Sequence, residues 1–582
     1  MFILRNCHLI FCVFLGIFQS CYVYANSADE LWEQYKSEGA INSNLPDFSH
    51  AGFFLRDNQN DSAEWDVYNI LEFGAIPDDN EDDHHAIQQA IDSASNNGGG
   101  IVFIPEGKYQ ISGGAKEGTI KISSSNIILK GEIKDGKNAS VIYLKNPSNG
   151  QELGLLGEST TDLRSIAALA IEGEANDFVL TTFDNLDYPR GSRIISVNDT
   201  SNIRPNQNIR IRLTDPLIDT ENPSKDNIDL VKLLTHPFDY SDEEIKTFGQ
   251  YGKNVEYITK VRRVIDDSNI ELYQPLRFDH LSRYSPTILK FEGISNVGVE
   301  NLTFESAWQG QYVHHQPFPI DAVDESSIIR TVTEQDYGWV AIWGIWIADS
   351  WINNVVLDNF TQNIIVSNSA FIDVQNLQLK GSGGHAGLTY SSAYNILTTD
   401  IKFEGRYAHP VSIRAWTSGC VFSDLNIVDS AFNDFDRTGP FIDFHGLFPY
   451  ENLFEKMRGF YVHSGGDSDV MPHSGVRNTL WNIESPEVID RFPYASNELF
   501  NTAATSRSNM YKYYPSSFVV GVYGKNNLQL KINSSSEDRA DDFMIINNLN
   551  SRDIPFQSLY EKQLEHSKSN FPMPPQSPIL LE

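Results

Sequence analysis

Pairs of apolar residues recur along the second half of this chain at a nearly constant interval. The pairs are Leu302/Phe304, Val355/Leu357, Leu377/Leu379, Ile401/Phe403 and Leu425/Ile427, and the last four follow one another after 22, 24 and 24 residues. A period of this length is typical of a solenoid, in which each coil buries its short strands against the coils on either side. Asn354, Asn376 and Asn395 fall close to the strand starts, which predicts asparagines stacked at the turns.

The segment from Tyr68 to Ser112 has a different pattern. Its apolar residues Ala86, Ile87, Ala90, Ile91 and Ala94 have helical spacing and predict one buried helix face. Three consecutive glycines from Gly98 end this helix, because glycine tolerates the backbone conformation of a helix C-terminus. The run Ile101–Ile104 then predicts a buried strand.

This segment resembles the opening of the pectate-lyase superfamily. The matching residues are Phe73-Gly74-Ala75, Asp78, Asp82-Asp83, Ala86-Ile87-Gln88, Ala90-Ile91 and the run IVFIPEGKY from Ile101 to Tyr109. The resemblance implies an all-β fold, a right-handed parallel β-helix with an N-terminal helical cap. Asn80 stands where a glycine is usual. Lyases, polygalacturonase-like hydrolases, epimerases and phage tailspikes share this cap, so the resemblance indicates the fold and leaves the chemistry open.

Composition shifts divide the chain into six expected regions. Between 150 and 290 the coil rhythm is interrupted by short alternating runs of antiparallel character, which predict either an inserted β-rich subdomain or elaborated loops. A short C-terminal helix is expected near 555–567. The predicted regions are a signal peptide at 1–25, an N-terminal extension at 26–66, the cap and first coils at 67–149, the insertion at 150–290, the β-helix core at 291–497, and a C-terminal strand, helix and extended tail at 498–582.

The N-terminus predicts export. Arg5 precedes the apolar run Leu9–Phe18, which is too short to span a bilayer, and small residues precede a cleavage position after Ala25. The expected location is therefore secreted or periplasmic, with no membrane attachment after cleavage. Only Cys420 remains in the mature chain, which excludes an intramolecular disulfide.

The formal net charge of −33 argues against nucleic acid as a partner, because phosphate binding requires a basic surface. The same field opposes a polyanionic sugar less strongly, since salt screens charges over roughly 8 Å at physiological ionic strength. We expect a monomer that acts on an acidic polysaccharide.

Five of the chain's 14 histidines lie between Gly381 and Asn482, in the region where the coils are most regular. His385 and His409 are 24 residues apart, so the coil period places them on neighbouring coils, roughly 5 Å apart in height. The candidate catalytic residues are His385, His409, His445, His473 and Tyr450, and the candidate substrate-binding residues are Arg414, Trp416, Arg437, Arg477, Asp436 and Asp443.

Two enzymatic chemistries suit these residues. β-Elimination at a uronic acid needs a base for the C5 proton, an acid for the leaving oxygen and a cation for the carboxylate. His409, His445 or His473 is the candidate base and Tyr450 the candidate acid. Glycoside hydrolysis needs two carboxyl groups, for which Asp436, Asp443, Asp467 and Asp469 are the candidates. No aspartate pair of the polygalacturonase-like hydrolases is visible in the coils, which favours a polysaccharide lyase.

A non-catalytic carbohydrate-binding β-helix with structural histidines is the third hypothesis. The cofactor is unknown: calcium needs oxygen ligands, and Asp467 and Asp469 are weak candidates.

The segments around Tyr394, His409, Tyr450 and His473 are similar to motifs of uncharacterised pectate-lyase-like proteins of polysaccharide-degrading bacteria. In that pattern an aspartate follows the histidine at 409, where this chain has Pro410. A second His or an Arg is expected beside His445, where this chain has Gly446. These departures concern the two histidines to which the resemblance would assign a role.

Overall fold

A computed structural model describes most of the chain. The described residues are 27–53, 65–112, 118–146, 167–219, 229–236, 253–308, 339–428, 440, 442–460, 473–485, 498–499, 516–524, 529–530 and 544–570. The predicted signal peptide and the extended tail lie outside these ranges.

The helices of the described chain are α1 (Ala28–Asn42), α2 (His84–Asn96), α3 (Leu230–Thr235) and α4 (Leu559–Asn570), with 3-10 turns at Ile70–Phe73 and Ser282–Tyr284. The strands are β1 (Val67–Asn69), β2 (Gly100–Ile104), β3 (Gly107–Ile111), β4 (Ile120–Ile122), β5 (Ile127–Gly131), β6 (Ile133–Lys134), β7 (Lys137–Asn138), β8 (Ser140–Leu144), β9 (Ala167–Glu172), β10 (Val179–Thr182), β11 (Ile194–Ser196), β12 (Asn208–Thr214), β13 (Asn254–Asp266), β14 (Asn269–Leu272), β15 (Thr287–Lys290), β16 (Ile294–Ser295), β17 (Gly298–Ser306), β18 (Val340–Ile345), β19 (Ile347–Asp358), β20 (Gln362–Lys380), β21 (Gly384–Tyr394), β22 (Leu397–Phe403), β23 (Tyr407–Arg414), β24 (Val421–Ile427), β25 (Ile442–Phe444), β26 (Leu453–Arg458), β27 (Thr479–Glu484), β28 (Glu498–Leu499), β29 (Ser517–Tyr523), β30 (Gln529–Leu530) and β31 (Met544–Asn547).

The recurring apolar pairs form columns of a parallel β-helix. Strand register places Leu302, Val355, Leu377, Ile401 and Leu425 on successive coils, one directly above the next. All five side chains are buried in the largest apolar cluster of the chain. The predicted solenoid is therefore confirmed, and its period corresponds to one coil.

Asparagines occupy one corner of successive coils. Asn354 and Asn376 adopt left-handed backbone conformations with φ of 54°, which asparagine tolerates better than most residues. The side-chain amide of Asn354 donates to Oδ1 of Asn301 at 2.8 Å, and that of Asn376 donates to Oδ1 of Asn354 at 3.2 Å. The predicted stack is confirmed at this corner, whereas Asn395 lies at another corner and accepts a hydrogen bond from Arg277.

The N-terminal cap forms as the sequence predicts. The apolar face of α2 is buried over the first coils, with Ile87, Ala90 and Ala94 fully covered. Asn80 has a φ of 62°, so an asparagine supplies there the left-handed turn for which the superfamily uses glycine.

The insertion is a six-stranded antiparallel sheet in the order β10-β15-β12-β13-β14-β11. Its apolar face packs over a second corner of the coils and covers Phe371, Tyr394, Trp416, Phe448 and Tyr450. The predicted antiparallel character is thus confirmed for the strands between Val179 and Lys290.

A buried ion cluster joins the insertion to the coils. The Glu451 carboxylate, 2% exposed, contacts Nε of Arg190 at 2.7 Å, Nη1 of Arg277 at 3.2 Å and Nε of Arg477 at 2.6 Å. Burial opposes the negative charge, but the three guanidinium groups outweigh it and lower the pKa of Glu451 from 4.5 to about 2. Arg190 also donates to the carbonyl oxygens of Ala40 and Ser43, so the cluster holds three parts of the chain together.

The two ends of the described chain pack against each other. Helices α1 and α4 share an apolar cluster with residues of the last coils, among them Trp481. The backbone amide of Phe48 donates to Oε1 of Gln563 at 2.9 Å, and Nε2 of Gln563 donates to the Pro46 carbonyl at 2.7 Å. None of the described helices combines the length and the apolar character that crossing a membrane requires.

Candidate active site

One face of the β-helix is formed by β18, β20, β21, β23 and β25, which pair in parallel. Their inward residues Ile342, Ile364, Leu388, Val411 and Ile442 are in register and belong to the core. Side chains alternate along a strand, so the next residues face outward: Trp343, Ile365, Thr389, Ser412 and Asp443. This outward row changes from apolar to polar toward Asp443.

Asp443 is the centre of a hydrogen-bonded cluster. Its Oδ2 atom accepts from Oγ of Ser412 at 2.7 Å and lies 3.0 Å from Nδ1 of His445 and 3.4 Å from Nδ1 of His409. Asp443 is fully covered, the His409 side chain is 9% exposed and the His445 side chain is 27% exposed. The carboxylate therefore lies beneath two imidazoles, of which His445 is the more accessible.

The Asp443 carboxyl group stays ionised at neutral pH. Burial opposes its charge, but His409 and His445, with the hydrogen bond from Ser412, lower its pKa far below the usual range. A carboxylate that accepts a hydrogen bond from Nδ1–H of a neutral imidazole leaves the Nε2 lone pair of that ring to take up a proton. The geometry thus equips His445 to act as a general base.

Two further predicted residues adjoin this cluster. The His385 ring centroid lies 5.2 Å from that of His409, and the two rings stand on neighbouring coils as the sequence spacing predicts. Arg414 ends β23 on the outward row and is exposed, within electrostatic range of the Asp443 carboxylate. The next outward position on the following coil is His445, whose backbone amide donates to the Ile413 carbonyl.

Carboxylates are sparse on this face. Between the coils of Val340 and His445, Asp443 is the one carboxylate of the described outward rows. Glu172 follows only beyond Ile345, five coils from His445, which at about 4.8 Å per coil is roughly 24 Å away. Glycosidase carboxyl pairs are separated by about 5 to 9.5 Å, so the described face holds no such pair.

Two predicted site residues lie under the insertion instead. Tyr450 is fully buried, with its ring 5.9 Å from that of Phe278, and burial raises its pKa further above the usual range. Trp416 packs on Phe448 with ring centroids 5.0 Å apart and is 9% exposed. Both contribute to the apolar contact between insertion and coils.

Arg477 and His473 also lie away from the cluster. Arg477 binds Glu451 and donates to the Arg277 carbonyl at 2.9 Å, so its guanidinium is engaged within the fold. His473 is 1% exposed and precedes the segment in which the Val476 amide donates to the Leu234 carbonyl.

Asp436 and Arg437 lie outside the described residues, as do Asp467 and Asp469, the weak calcium candidates. Within the described ranges, no three or more His, Cys, Asp or Glu side chains are grouped in a way that could hold a metal ion.

Ser412 was not among the site residues predicted from the sequence. The signal that could have found it is the alternation in Val411-Ser412-Ile413, where two inward apolar residues flank one outward hydroxyl. Its hydrogen bond restrains Asp443 from the neighbouring coil.

The insertion borders this face along one side. Trp416, two residues after Arg414, and Phe448, three residues after His445, belong to the apolar cluster beneath the inserted sheet. The outward row is therefore flanked along one side by the insertion.

A comparison with protein families finds one match. Residues 67–222 match the family described as rhamnogalacturonase A/epimerase, pectate lyase-like. The matched region covers the cap, the first coils and the first strands of the insertion, and it agrees with the resemblance noted in the sequence. No curated protein sequence matches the chain.

Solved structures that are similar to this chain include a phage tailspike protein, an exopolygalacturonase and an epimerase module. The tailspike protein gp49 from Pseudomonas phage LKA1 is 11% identical with a TM-score of 0.43, covering 79% of this chain and 71% of that one. The family 28 exopolygalacturonase of Yersinia enterocolitica is 13% identical with a TM-score of 0.35, covering 85% and 77%. The A-module of the mannuronan C-5 epimerase AlgE6 from Azotobacter vinelandii is 11% identical with a TM-score of 0.31, covering 79% and 87%. At these values the likenesses carry no information about the activity of this chain.

Proposed function

We propose that this chain is a polysaccharide lyase that cleaves a uronic-acid-containing polymer by β-elimination. The match of residues 67–222 to a pectate-lyase-like family supports a carbohydrate-active β-helix. The observation that carries this proposal is the His409–Asp443–His445 cluster with Arg414 beside it. It supplies the base, acid and cation that elimination requires, on one face of the coils.

The roles follow from exposure and contact. His445, hydrogen-bonded to Asp443 and the more exposed imidazole, is the base that takes the C5 proton. Arg414 neutralises the uronate carboxylate, which acidifies that proton. His409 protonates the leaving oxygen. We assign this step to His409 and not to Tyr450. Both side chains are largely covered, but the His409 ring adjoins that of His445 on the same face, whereas Tyr450 lies beneath the insertion.

Hydrolysis is less well supported by the same face. A glycosidase needs a second carboxyl group close to Asp443, and the described outward rows place the next one, Glu172, roughly 24 Å away.

The test is formation of the C4–C5 unsaturated product, followed by ultraviolet absorbance, from a panel of uronic-acid polysaccharides. Wild type is compared with His445→Gln and with the control His85→Gln, which alters an exposed histidine of α2. We expect absorbance to rise with wild type and the control, and to be lowered at least about hundredfold by His445→Gln.

New reducing ends without absorbance would contradict elimination and favour a hydrolase. Binding of a polymer without any product would favour the non-catalytic hypothesis.

We also propose that the protein is exported, on the basis of the N-terminal apolar run alone. Mass spectrometry of the secreted or periplasmic protein should then find Asn26 as its first residue.

A further inference from the structure

The imidazoles of the candidate site all project from one face of the β-helix. His385, His409 and His445 occupy three consecutive coils, with ring centroids 5.2 Å and 6.0 Å apart along the series. His409 and His445 both approach the same oxygen atom of Asp443, which lies beneath them. A sugar ring that lies on this face therefore contacts the imidazoles of His409 and His445 with the same side of the ring.

This arrangement restricts the stereochemistry of elimination. Nε2 of His445 takes the C5 proton, and the electrons of the C5–H bond form the C4–C5 double bond. The C4–O4 bond breaks with its electron pair on O4, and the His409 imidazolium donates a proton to that oxygen. The exchange leaves His445 protonated and His409 neutral, and solvent restores both, so no oxidant or further reactant is needed.

Because base and acid approach from one side, H5 and O4 must lie on the same face of the pyranose ring. The same holds if His445 performs both proton transfers. An anti elimination would instead need the acid on the opposite side of the ring from the base.

We propose that the substrate is a 4-linked uronate of the D-gluco or D-manno configuration, in which H5 and O4 are cis. In D-galacturonate, L-guluronate and L-iduronate these two atoms are trans, so a base and an acid on the same side of the ring cannot reach both. This inference rests on the proposed elimination and names the substrate class of the same site.

The decisive experiment compares polymers in which H5 and O4 are cis with polymers in which they are trans. Polymannuronate is compared with polyguluronate, its C5 epimer, and a β-1,4-glucuronan with polygalacturonate, which differs at C4 as well as in its anomeric linkage. Each is incubated with wild type, His445→Gln and His85→Gln, and the unsaturated product is measured. We expect a product from the manno or gluco polymer at a rate at least about a hundredfold above that from its trans counterpart.

A comparable or faster rate on polygalacturonate or polyguluronate, abolished by His445→Gln, would overturn the stereochemical inference and leave elimination standing. No unsaturated product from any of the four polymers would overturn both. Short 4-linked oligosaccharides of each uronate are run in parallel, so that poor access of a long polymer to the face beside the insertion does not hide a reaction.

Discussion

Nε of Arg190, in the inserted segment, lies 2.7 Å from Oε1 of Glu451, at a corner of the coils. Arg277 and Arg477 complete a cluster of three cations around one buried carboxylate. The inserted sheet is thereby fixed to the β-helix by charge as well as by apolar contact, and the position of this sheet beside the candidate site depends on it.

Replacing Glu451 by glutamine should destabilise the protein by about 3–5 kcal/mol at neutral pH, because three arginines lose their buried partner. Unfolding by denaturant is the measurement. Glu404→Gln, at an exposed position of a coil, is the control and should change the unfolding free energy by less than about 0.5 kcal/mol.

The lowered pKa of Glu451 should make the stability of the protein depend on pH. The pKa of Glu451 is lowered from 4.5 to about 2 in the folded protein. The ionised carboxylate therefore contributes its full stabilisation of the fold above pH 4.5, and this stabilisation is lost as the pH falls toward about 2. That contribution is on the order of 3 kcal/mol. Wild type should therefore lose more stability than Glu451→Gln between these two pH values. Parallel stability curves for the two proteins would contradict this account.

The asparagine corner offers a separable test. Asn354→Ala loses the hydrogen bonds to its neighbours and places a Cβ-bearing residue at a left-handed φ, which adds roughly 1–2 kcal/mol of strain. Asn354→Gly loses the same hydrogen bonds without that strain. The glycine variant should be the more stable of the two by about 1 kcal/mol in thermal or chemical unfolding. Equal stabilities would mean that backbone strain is relieved elsewhere in the coil.

Arg414 should act through the substrate carboxylate. Arg414→Ala is expected to lower kcat/KM about a hundredfold on the free acid polymer, since the charge that stabilises the carbanion is lost. On the methyl-esterified polymer, which carries no carboxylate charge, the substitution should change kcat/KM by less than about threefold. A loss of equal size on both substrates would assign Arg414 to folding or to general binding.

The His409 and His445 variants should respond differently to a substrate with a better leaving group. With a nitrophenyl group on O4, the leaving oxygen departs without protonation. His409→Gln should then regain nearly wild-type rates, whereas His445→Gln stays inactive, because the C5 proton must still be removed. Rescue of His445→Gln alone would reverse the two assignments.

Much of the fold could be read from the sequence because one coil repeats another. The interval between Leu377 and Ile401 measures a coil directly, and the register bears it out. The position of a residue around the coil is harder to predict, since it depends on the lengths of the corners. Tyr450 and His445 are five residues apart in sequence, yet the first faces the insertion and the second the outward row.

The candidate site was therefore predicted in part. The spacing of His385 and His409 fixed their heights, and the structure brings them near Asp443 and His445. Ser412 was missed, because a serine between two apolar residues is common in strands. What distinguishes it is a partner 31 residues away on the next coil, which only three-dimensional register reveals.

The contact between α1 and α4 has a consequence for the order in which the protein can be assembled. A β-helix can grow coil by coil as its chain is synthesised. Helix α1 is made early, but its apolar face rests on the last coils and on α4, with the Phe48–Gln563 hydrogen bond spanning 515 residues. The first described residues to be translated are thus among the last to reach their final place, and the growing chain must keep this amphipathic helix from other partners until its own end has been made.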